Sequence, residues 1–525
     1  MLKNLKFNMA DYRTIDNIKR GLSDCLQLCQ SPRMGQLREI ISASIKKLDE
    51  PMQLAIIGKI SSSKSTLVNA ILAKNELMST GHMEVTYNVG WLKYGDPSSD
   101  IVLHFKDGRP PKRKSRKEFE MLSVESNAEE LDQISHIEVF DDSEILKEIN
   151  IIDTPGLDAL RGKDSQNTLD FISNVRPDAV VMLFTHSVAE SILDVVQQFN
   201  AGSEFTPLNA IGILSKIDVL WQETIPRNKS ALEIGKRMVD NKMRKDLTIK
   251  KSLFNLYPIS ALLYMASSTI TEDEINQIGL AFNESPEDWC RMLNSVSKFL
   301  SDSPCLIAKE ERKSLCDKLG LYGIYLITQR FKKNEDTSLS AIKSLFLAES
   351  GANDFAKTLH NHFGSRAKLI KIESVYQRVM QEIKKLKASD TDLTLRSLLL
   401  NLEQKISDIF SSFVHEHKEY EMLNAIYGGE LMIDEEFVEE FKALCGEHGN
   451  SAPDKLRVKD AVDVSELLDL ALSRERFWRK NIALVPDPEE REWMKVILKS
   501  YSLLRNKISE MKYKYEQAKN FLFND

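Results

Sequence analysis

Leu54-Ala-Ile-Ile-Gly58-Lys-Ile-Ser-Ser-Ser63-Lys64-Ser65-Thr66 is the stretch on which the reading of this chain turns. Leu54 to Ile57 make a strand-sized apolar run, a loop of small residues follows, and Leu67–Leu72 resumes at helical spacing. A strand, a small-residue loop and a helix opening on Lys-Ser is the layout of a phosphate-binding loop. Successive backbone N–H groups and the helix N-terminus supply positive potential for a β-phosphate. In that layout Gly58 opens the loop, and Ser61, Ser62 and Ser63 line it. Lys64 brings a mobile charge to the β/γ oxygens, Ser65 offers its hydroxyl to Mg2+, and Thr66 completes the nucleotide-binding segment. The glycine usual before the lysine is Ser63, which adopts that backbone only under strain if φ is positive. Taken alone, the segment also fits an ordinary strand–turn–helix.

Three further segments give it company. Ile149-Asn-Ile-Ile-Asp153-Thr-Pro-Gly156 reads as a strand ending in an acid and then a turn. An Asp at that place holds the water shell of a nucleotide's metal, and the Gly N–H faces the γ-phosphate. Ile211-Gly-Ile-Leu-Ser215-Lys216-Ile217-Asp218 is a strand ending in S-K-x-D. The Asp218 carboxylate suits the N1–H and exocyclic amine of guanine, a donor pair that adenine lacks, and the Lys216 stem can lie across the base. Tyr257-Pro-Ile-Ser260-Ala261 offers a backbone N–H to the guanine carbonyl. Four elements in this order, each after a strand pattern, point to GTP/GDP with Mg2+.

The rest of the chain arranges itself around this site. Its 525 residues exceed one ordinary domain, and 42% hydrophobic with 28% charged residues is enough to bury a core, which excludes disorder as the main state. Net charge is −7, so no overall positive field draws the chain to nucleic acid. Strand-sized runs separated by helical patterns read as a mostly parallel sheet with helices on both faces over residues 51–335. Beyond 335 only helical patterns remain, over 336–388, 392–426, 433–447, 463–482 and 488–522. The last carries an apolar stripe from Trp493 to Ala518 behind Pro488. Two short helices are expected before residue 50. They are too small to stand alone, so they and the terminal stripe are expected to pack together, making 1–50 and 336–525 a helical neck and stalk.

No run approaches the length of a membrane span, and the first twenty residues lack the apolar core of a signal peptide. The six cysteines are sparse, with no metal-binding spacing, and fit a reducing cytoplasm. Arg109 to Lys117 holds six positive charges in nine residues. Acidic headgroups or RNA suit it, although a solvated loop between two strands is the plainer reading. Arg474-Glu-Arg-Phe-Trp-Arg-Lys480 fits either an interfacial anchor or, by its helical pattern, a bundle helix with a buried aromatic side.

The order and wording of the nucleotide motifs resemble the dynamin superfamily, and more closely the bacterial dynamin-like GTPases. Leu77-Met-Ser-Thr-Gly-His-Met-Glu-Val-Thr86 resembles that family's first switch, and Ile151-Ile-Asp-Thr-Pro-Gly-Leu157 its second. Leu319-Gly-Leu-Tyr-Gly-Ile324, Ser350-Gly-Ala-Asn-Asp-Phe355 and Phe363-Gly-Ser-Arg-Ala-Lys368 resemble the passage out of the GTPase domain. The likeness implies that Ser61 positions the catalytic water, that Thr86 joins the Mg2+ shell and fixes that water, and that Asp153 and Gly156 keep the roles above. The loop glutamine of eukaryotic members falls at Ile60, which cannot orient water, and Leu157 offers no amide. The implied function is a large GTPase of slow basal turnover, stimulated by homodimerisation through its GTPase domains, with higher oligomers and peripheral membrane association. The alternatives are a GTP-dependent assembly switch acting on proteins, and a non-hydrolysing scaffold.

Overall fold

The computed structural model describes residues 12–59, 62–74, 89–115, 118, 133–154, 177–185, 207–223, 229–246, 249, 252–389, 392–410, 414–431, 433–458 and 463–523. Two compact units emerge, one of residues 53–357 and one combining 1–52 with 358–525.

The first unit is built on a nine-stranded sheet. Its strands are β1 (Met52–Gly58), β2 (Val89–Tyr94), β3 (Ile101–Phe105), β4 (Lys112–Lys114), β5 (Ile134–Asp141), β6 (Ile149–Asp153), β7 (Ala179–Phe184), β8 (Ala210–Ser215) and β9 (Leu256–Ile259), in the order β4-β3-β5-β2-β6-β1-β7-β8-β9. On one side of the sheet β1, β7, β8 and β9 run parallel. Their residues are buried throughout, as strands covered on both faces must be. On the other side the order mixes directions: β2 is antiparallel to β6 and parallel to β5, and β3 is antiparallel to β5 and β4. These strands alternate buried and half-exposed residues, the pattern of a sheet with one solvated face. The basic run contributes an exposed edge strand, Lys112–Lys114, where the sequence suggested a loop. Charged side chains on an edge oppose pairing with another sheet.

A helical layer follows β9 in the chain. Helix Ala261–Thr269, helix Glu272–Glu284 and helix Lys309–Lys332 share a core that includes Trp289, Phe299, Tyr322 and Phe346. The Trp289 indole donates to Thr328 Oγ1 at 2.9 Å within it. Phe346 belongs to helix Leu339–Glu349, which the sequence pattern assigned to the stalk beyond 335. It lies in the first unit, because Ile342 and Phe346 bury themselves in this core. The long helical pattern 336–388 is interrupted at Gly351 (φ +74°) and at a π turn, Leu359–Gly364.

In the second unit, helices Tyr12–Leu28 and Gly35–Lys47 share one core with Ser365–Ser389 and Leu393–Phe410. Ile18, Leu22, Leu37 and Ile41 meet Val375, Val379, Leu399 and Ile406 there, all fully buried. The first and fourth of these helices approach closely at Gly21, where an added Cβ would lie 2.6 Å from Ile409 Cγ1. The expected pairing of the N-terminal helices with the terminal stripe is therefore corrected: their core is completed by the segment that follows the GTPase unit. The terminal helix Pro488–Phe523 packs instead with helices Val464–Ile482 and Val414–Gly428. There Glu440 is almost fully buried, accepting hydrogen bonds from the Trp478 indole at 2.9 Å, Arg474 Nε at 2.9 Å and the Tyr501 hydroxyl. Trp478 is thus a bundle residue. Amphipathic stripes identify which face is buried but not which stripe it meets, so this exchange of partners is invisible to periodicity. Among the described residues no helix is long and apolar enough to cross a membrane.

Candidate functional site: a nucleotide cleft at the strand ends

The functional motifs all leave the carboxyl ends of strands, the position at which open α/β sheets bind ligands. After β1, Gly58 admits the loop because a Cβ there would lie 2.6 Å from Ser62 Oγ and 3.0 Å from Leu183 O. Ser63 is left-handed at φ +69°, ψ +30°, and stands directly before helix Lys64–Leu72. A serine therefore carries the conformation that glycine usually supplies, at a steric cost of about 1–2 kcal/mol. The buried Lys64 ammonium donates to the carbonyls of Gly58 at 3.1 Å and Lys59 at 2.9 Å, folding back over the loop.

Behind the loop, the Ser65 hydroxyl donates to Asp153 Oδ2 at 2.8 Å. The structure thus joins the two described residues read as metal-site groups. Asp153 is almost fully buried and its Oδ1 makes no hydrogen bond; the same holds for Ser62 Oγ. Burial pushes the Asp153 carboxyl up to about 6, against the pull of the Lys64 charge and the Ser65 hydrogen bond. A buried carboxylate oxygen lacking a hydrogen bond beside a serine hydroxyl is the oxygen donor set that Mg2+ takes, so these residues fit the ion. Thr154 fastens the end of β6 to β1 by donating to Ile56 O at 2.8 Å.

The residues expected to read the base follow β8 and β9. Ser215 Oγ donates to Phe184 O at 2.9 Å, locking β8 to β7, and Lys216 turns the chain at φ +58°. Burial raises the Asp218 carboxyl above its ordinary range, offset by a hydrogen bond with Ser260 and the Lys216 charge. Ser260 also caps helix Ala261–Thr269, its Oγ accepting from Leu263 N at 3.2 Å. Ser260 thereby joins Asp218 to the start of helix Ala261–Thr269. Ser61, Thr86 and Gly156 lie outside the described residues, as do Ile60 and Leu157.

Sequence reasoning assigned no role to two glycines that shape this corner. Gly320 (φ +63°) kinks helix Lys309–Lys332, and a Cβ there would stand 3.8 Å from Asp218 Oδ2. At Gly351 a Cβ would strike Pro258 O, just before Ser260, while Ser350 O accepts from Ser260 N at 2.9 Å. Both fall in the passages whose wording resembled the exit from a GTPase domain. That wording was the available signal.

A phosphate-loop layout whose Ser65 hydroxyl bonds the buried Asp153, with an S-K-x-D corner on the same sheet, is the arrangement of a nucleotide-binding α/β domain. Residues 54–217 match the Dynamin family. The chain is 24% identical over 473 residues to the isoniazid-induced protein IniC of Mycobacterium tuberculosis, covering 87% of this chain and 88% of that protein. It is 28% identical over 190 residues to dynamin-like protein 2 of Campylobacter jejuni, covering 36% of this chain and 29% of that protein. It is 24% identical over 271 residues to a probable transmembrane GTPase, FZO-like, of Arabidopsis thaliana, covering 51% of this chain and 26% of that protein. A solved structure described as part of an oligomerised bacterial dynamin pair aligns over 96% of this chain and 92% of its own, at 16% identity and a TM-score of 0.31. The similarity to the Dynamin family thus falls on the segment that carries the phosphate loop and Asp153.

Proposed function

We propose that the protein binds GTP and hydrolyses it slowly, and that nucleotide state governs its self-association at a membrane surface. The observation carrying the proposal is the convergence of Lys64, the Ser65–Asp153 pair and the Asp218–Ser260 corner on the strand ends of one sheet. In this reading the N–H groups of Gly58 to Thr66 and the Lys64 ammonium hold the β- and γ-phosphates. Ser65, Thr86 and, through water, Asp153 hold Mg2+, which neutralises charge between the phosphates. Ser61 and Thr86 position the attacking water, and the Gly156 N–H meets the γ-phosphate. Ser215, Lys216, Asp218, Ser260 and Ala261 form the guanine pocket.

With Ile60 and Leu157 where water-orienting amides would be useful, an isolated domain is short of groups for hydrolysis. A second GTPase domain docking across the nucleotide would complete the site, so turnover rises with protein concentration. Membrane association in this reading is peripheral, in keeping with the absence of a spanning helix among the described residues.

Base choice tests the pocket. Asp218→Asn exchanges a carboxylate for an amide and shifts preference from guanine to xanthine nucleotides; unchanged GDP affinity in calorimetry removes Asp218 from the pocket. Pelleting with anionic vesicles in the GTP and GDP states tests the membrane arm, and failure to pellet in either state leaves an assembly switch acting on proteins.

A further inference from the structure

On the antiparallel pair β3–β5, His104 stands directly opposite His136. Glu138 lies two residues further along β5 and so shares the face of His136. The imidazoles stack, with ring centroids 4.2 Å apart and planes 8° from parallel. Glu138 Oε1 lies 3.4 Å from His104 Nε2, and one ligand atom from each of the three side chains lies within 4.8 Å of the others. His104 Nε2 is buried and makes no hydrogen bond, and neither does the Trp91 indole N–H beside the pair. Buried nitrogens without hydrogen bonds call for an explanation, and an ion between two imidazoles and a carboxylate is one that also accounts for their convergence.

We propose that His104, His136 and Glu138 form a binding site for a divalent transition-metal ion of the zinc class. Two imidazole nitrogens and one carboxylate oxygen, with a position left for water, suit Zn2+, Co2+ or Ni2+ and not Mg2+ or Ca2+. Metal–ligand bonds of about 2.0–2.2 Å place donor atoms roughly 3.3 Å apart, so the side chains must close by roughly 1–1.5 Å, within reach of χ rotation. The competing group is Lys93, whose ammonium pairs with Glu138 and lies 4.7 Å from the centre of the Trp91 ring. A cation at the site displaces that ammonium towards solvent, and Trp91 registers the change. β2 carries Trp91 opposite Ile152 of β6 and Gly90 opposite Asp153, so the site lies two strands from the nucleotide-metal pair yet is distinct from it.

The test uses the full chain, stripped with EDTA and free of nucleotide, titrated with Co2+ while its visible spectrum and tryptophan fluorescence are followed. A single Co2+ should bind with the intense visible bands of a low-coordinate nitrogen-containing site and quench fluorescence, and Zn2+ should displace it. His104→Gln and His136→Ala should each weaken binding at least tenfold, in line with loss of a ligand. Trp91→Phe should remove the quenching without altering affinity. Lys93→Met should tighten binding. Circular dichroism and retained GDP binding establish that each variant is folded. The proposal is overturned if wild type and both histidine variants bind Co2+ alike, or if wild type binds none at millimolar Co2+.

Discussion

The phosphate loop and the core beneath the N-terminal helices are ordered by opposite means. In the loop, Ser63 is held at φ +69°, and Ser62 Oγ and Asp153 Oδ1 are buried without hydrogen bonds. In the four-helix core, Ile18, Leu22 and Leu37 meet Val375, Leu399 and Ile406, all apolar and fully buried. The first arrangement costs stability and is supported by the parallel strands around it; a ligand supplies what it lacks. The second is the source of stability and asks only for apolar volume. In the helical unit the buried Glu440 is partnered by Arg474, Trp478 and Tyr501.

The largest effect should follow from removing one side of the packed core. Deleting residues 1–49 strips out Ile18, Leu22, Cys25, Cys29, Met34, Leu37, Ile41 and Leu48, all buried. At roughly 1.5–3 kcal/mol for each large side chain, the loss is on the order of 10 kcal/mol or more. That matches the whole stability of a typical domain. The truncated chain should aggregate and lose helical circular dichroism. A soluble 50–525 fragment of unchanged helicity would make the N-terminal helices an accessory and break the comparison.

The two regions also differ in how far they could be read without coordinates. Chemistry fixes residue type and spacing at a nucleotide site, so Lys64, Ser65, Asp153 and Asp218 could each be proposed from the sequence. The corner beneath the base was not, because Gly320 and Gly351 act through backbone approach from far along the chain. In the helical unit the buried faces were legible and their partners were not. Any apolar stripe is compatible with any other, and the choice is made by side-chain fit, such as Ile409 against Gly21. The mixed half of the sheet was hidden by the similarity of short parallel and antiparallel strands in a single sequence.

The next effect is on affinity. Lys64→Ala removes a charge-assisted contact worth about 1.5–3 kcal/mol, which weakens GDP and GTP binding about ten- to a hundredfold. The nucleotide-free melting temperature should change less than the affinity, since the ammonium's hydrogen bonds to Gly58 and Lys59 lie within the loop itself. Titration with a fluorescent GDP analogue checks the first part and thermal unfolding the second. Normal binding by the variant would remove this loop from the phosphate site.

Asp153 gives a pH dependence of known sign. Its carboxyl is raised to about 6 from an ordinary value of 3.8, so the folded apo protein holds this proton more tightly than the unfolded chain. This group's contribution to stability therefore falls as pH rises from 3.8 to about 6 and is flat above. Mg2+ needs the carboxylate, so metal-dependent nucleotide affinity should be flat above about 6 and weaken up to tenfold per pH unit below it. Calorimetry in two buffers of different ionisation enthalpy would detect the released proton, and Asp153→Asn should abolish the proton release. A pH-independent Mg2+ effect between 5 and 7 would show that the carboxyl is already ionised in the apo protein, and the site less strained than its burial implies.

The smallest effect isolates the strain itself. Ser63→Gly relieves the left-handed Cβ clash but loosens the unfolded chain, leaving a net gain of about 0.5–1 kcal/mol. The nucleotide-free melting temperature should rise by about 1–3 °C. Ser63→Ala keeps the Cβ and so keeps the clash, and should bring no such gain. Because both variants leave the Lys64 carbonyl contacts and the Ser65–Asp153 bond in place, GDP affinity should stay near that of wild type. The pair of variants therefore separates backbone strain from side-chain chemistry at one position. If glycine lowers the melting temperature while alanine does not, the serine Cβ is packed and not strained. The loop would then be stabilised by contact, as the helical core is, and the opposition between the two regions would fail at the position where it is sharpest.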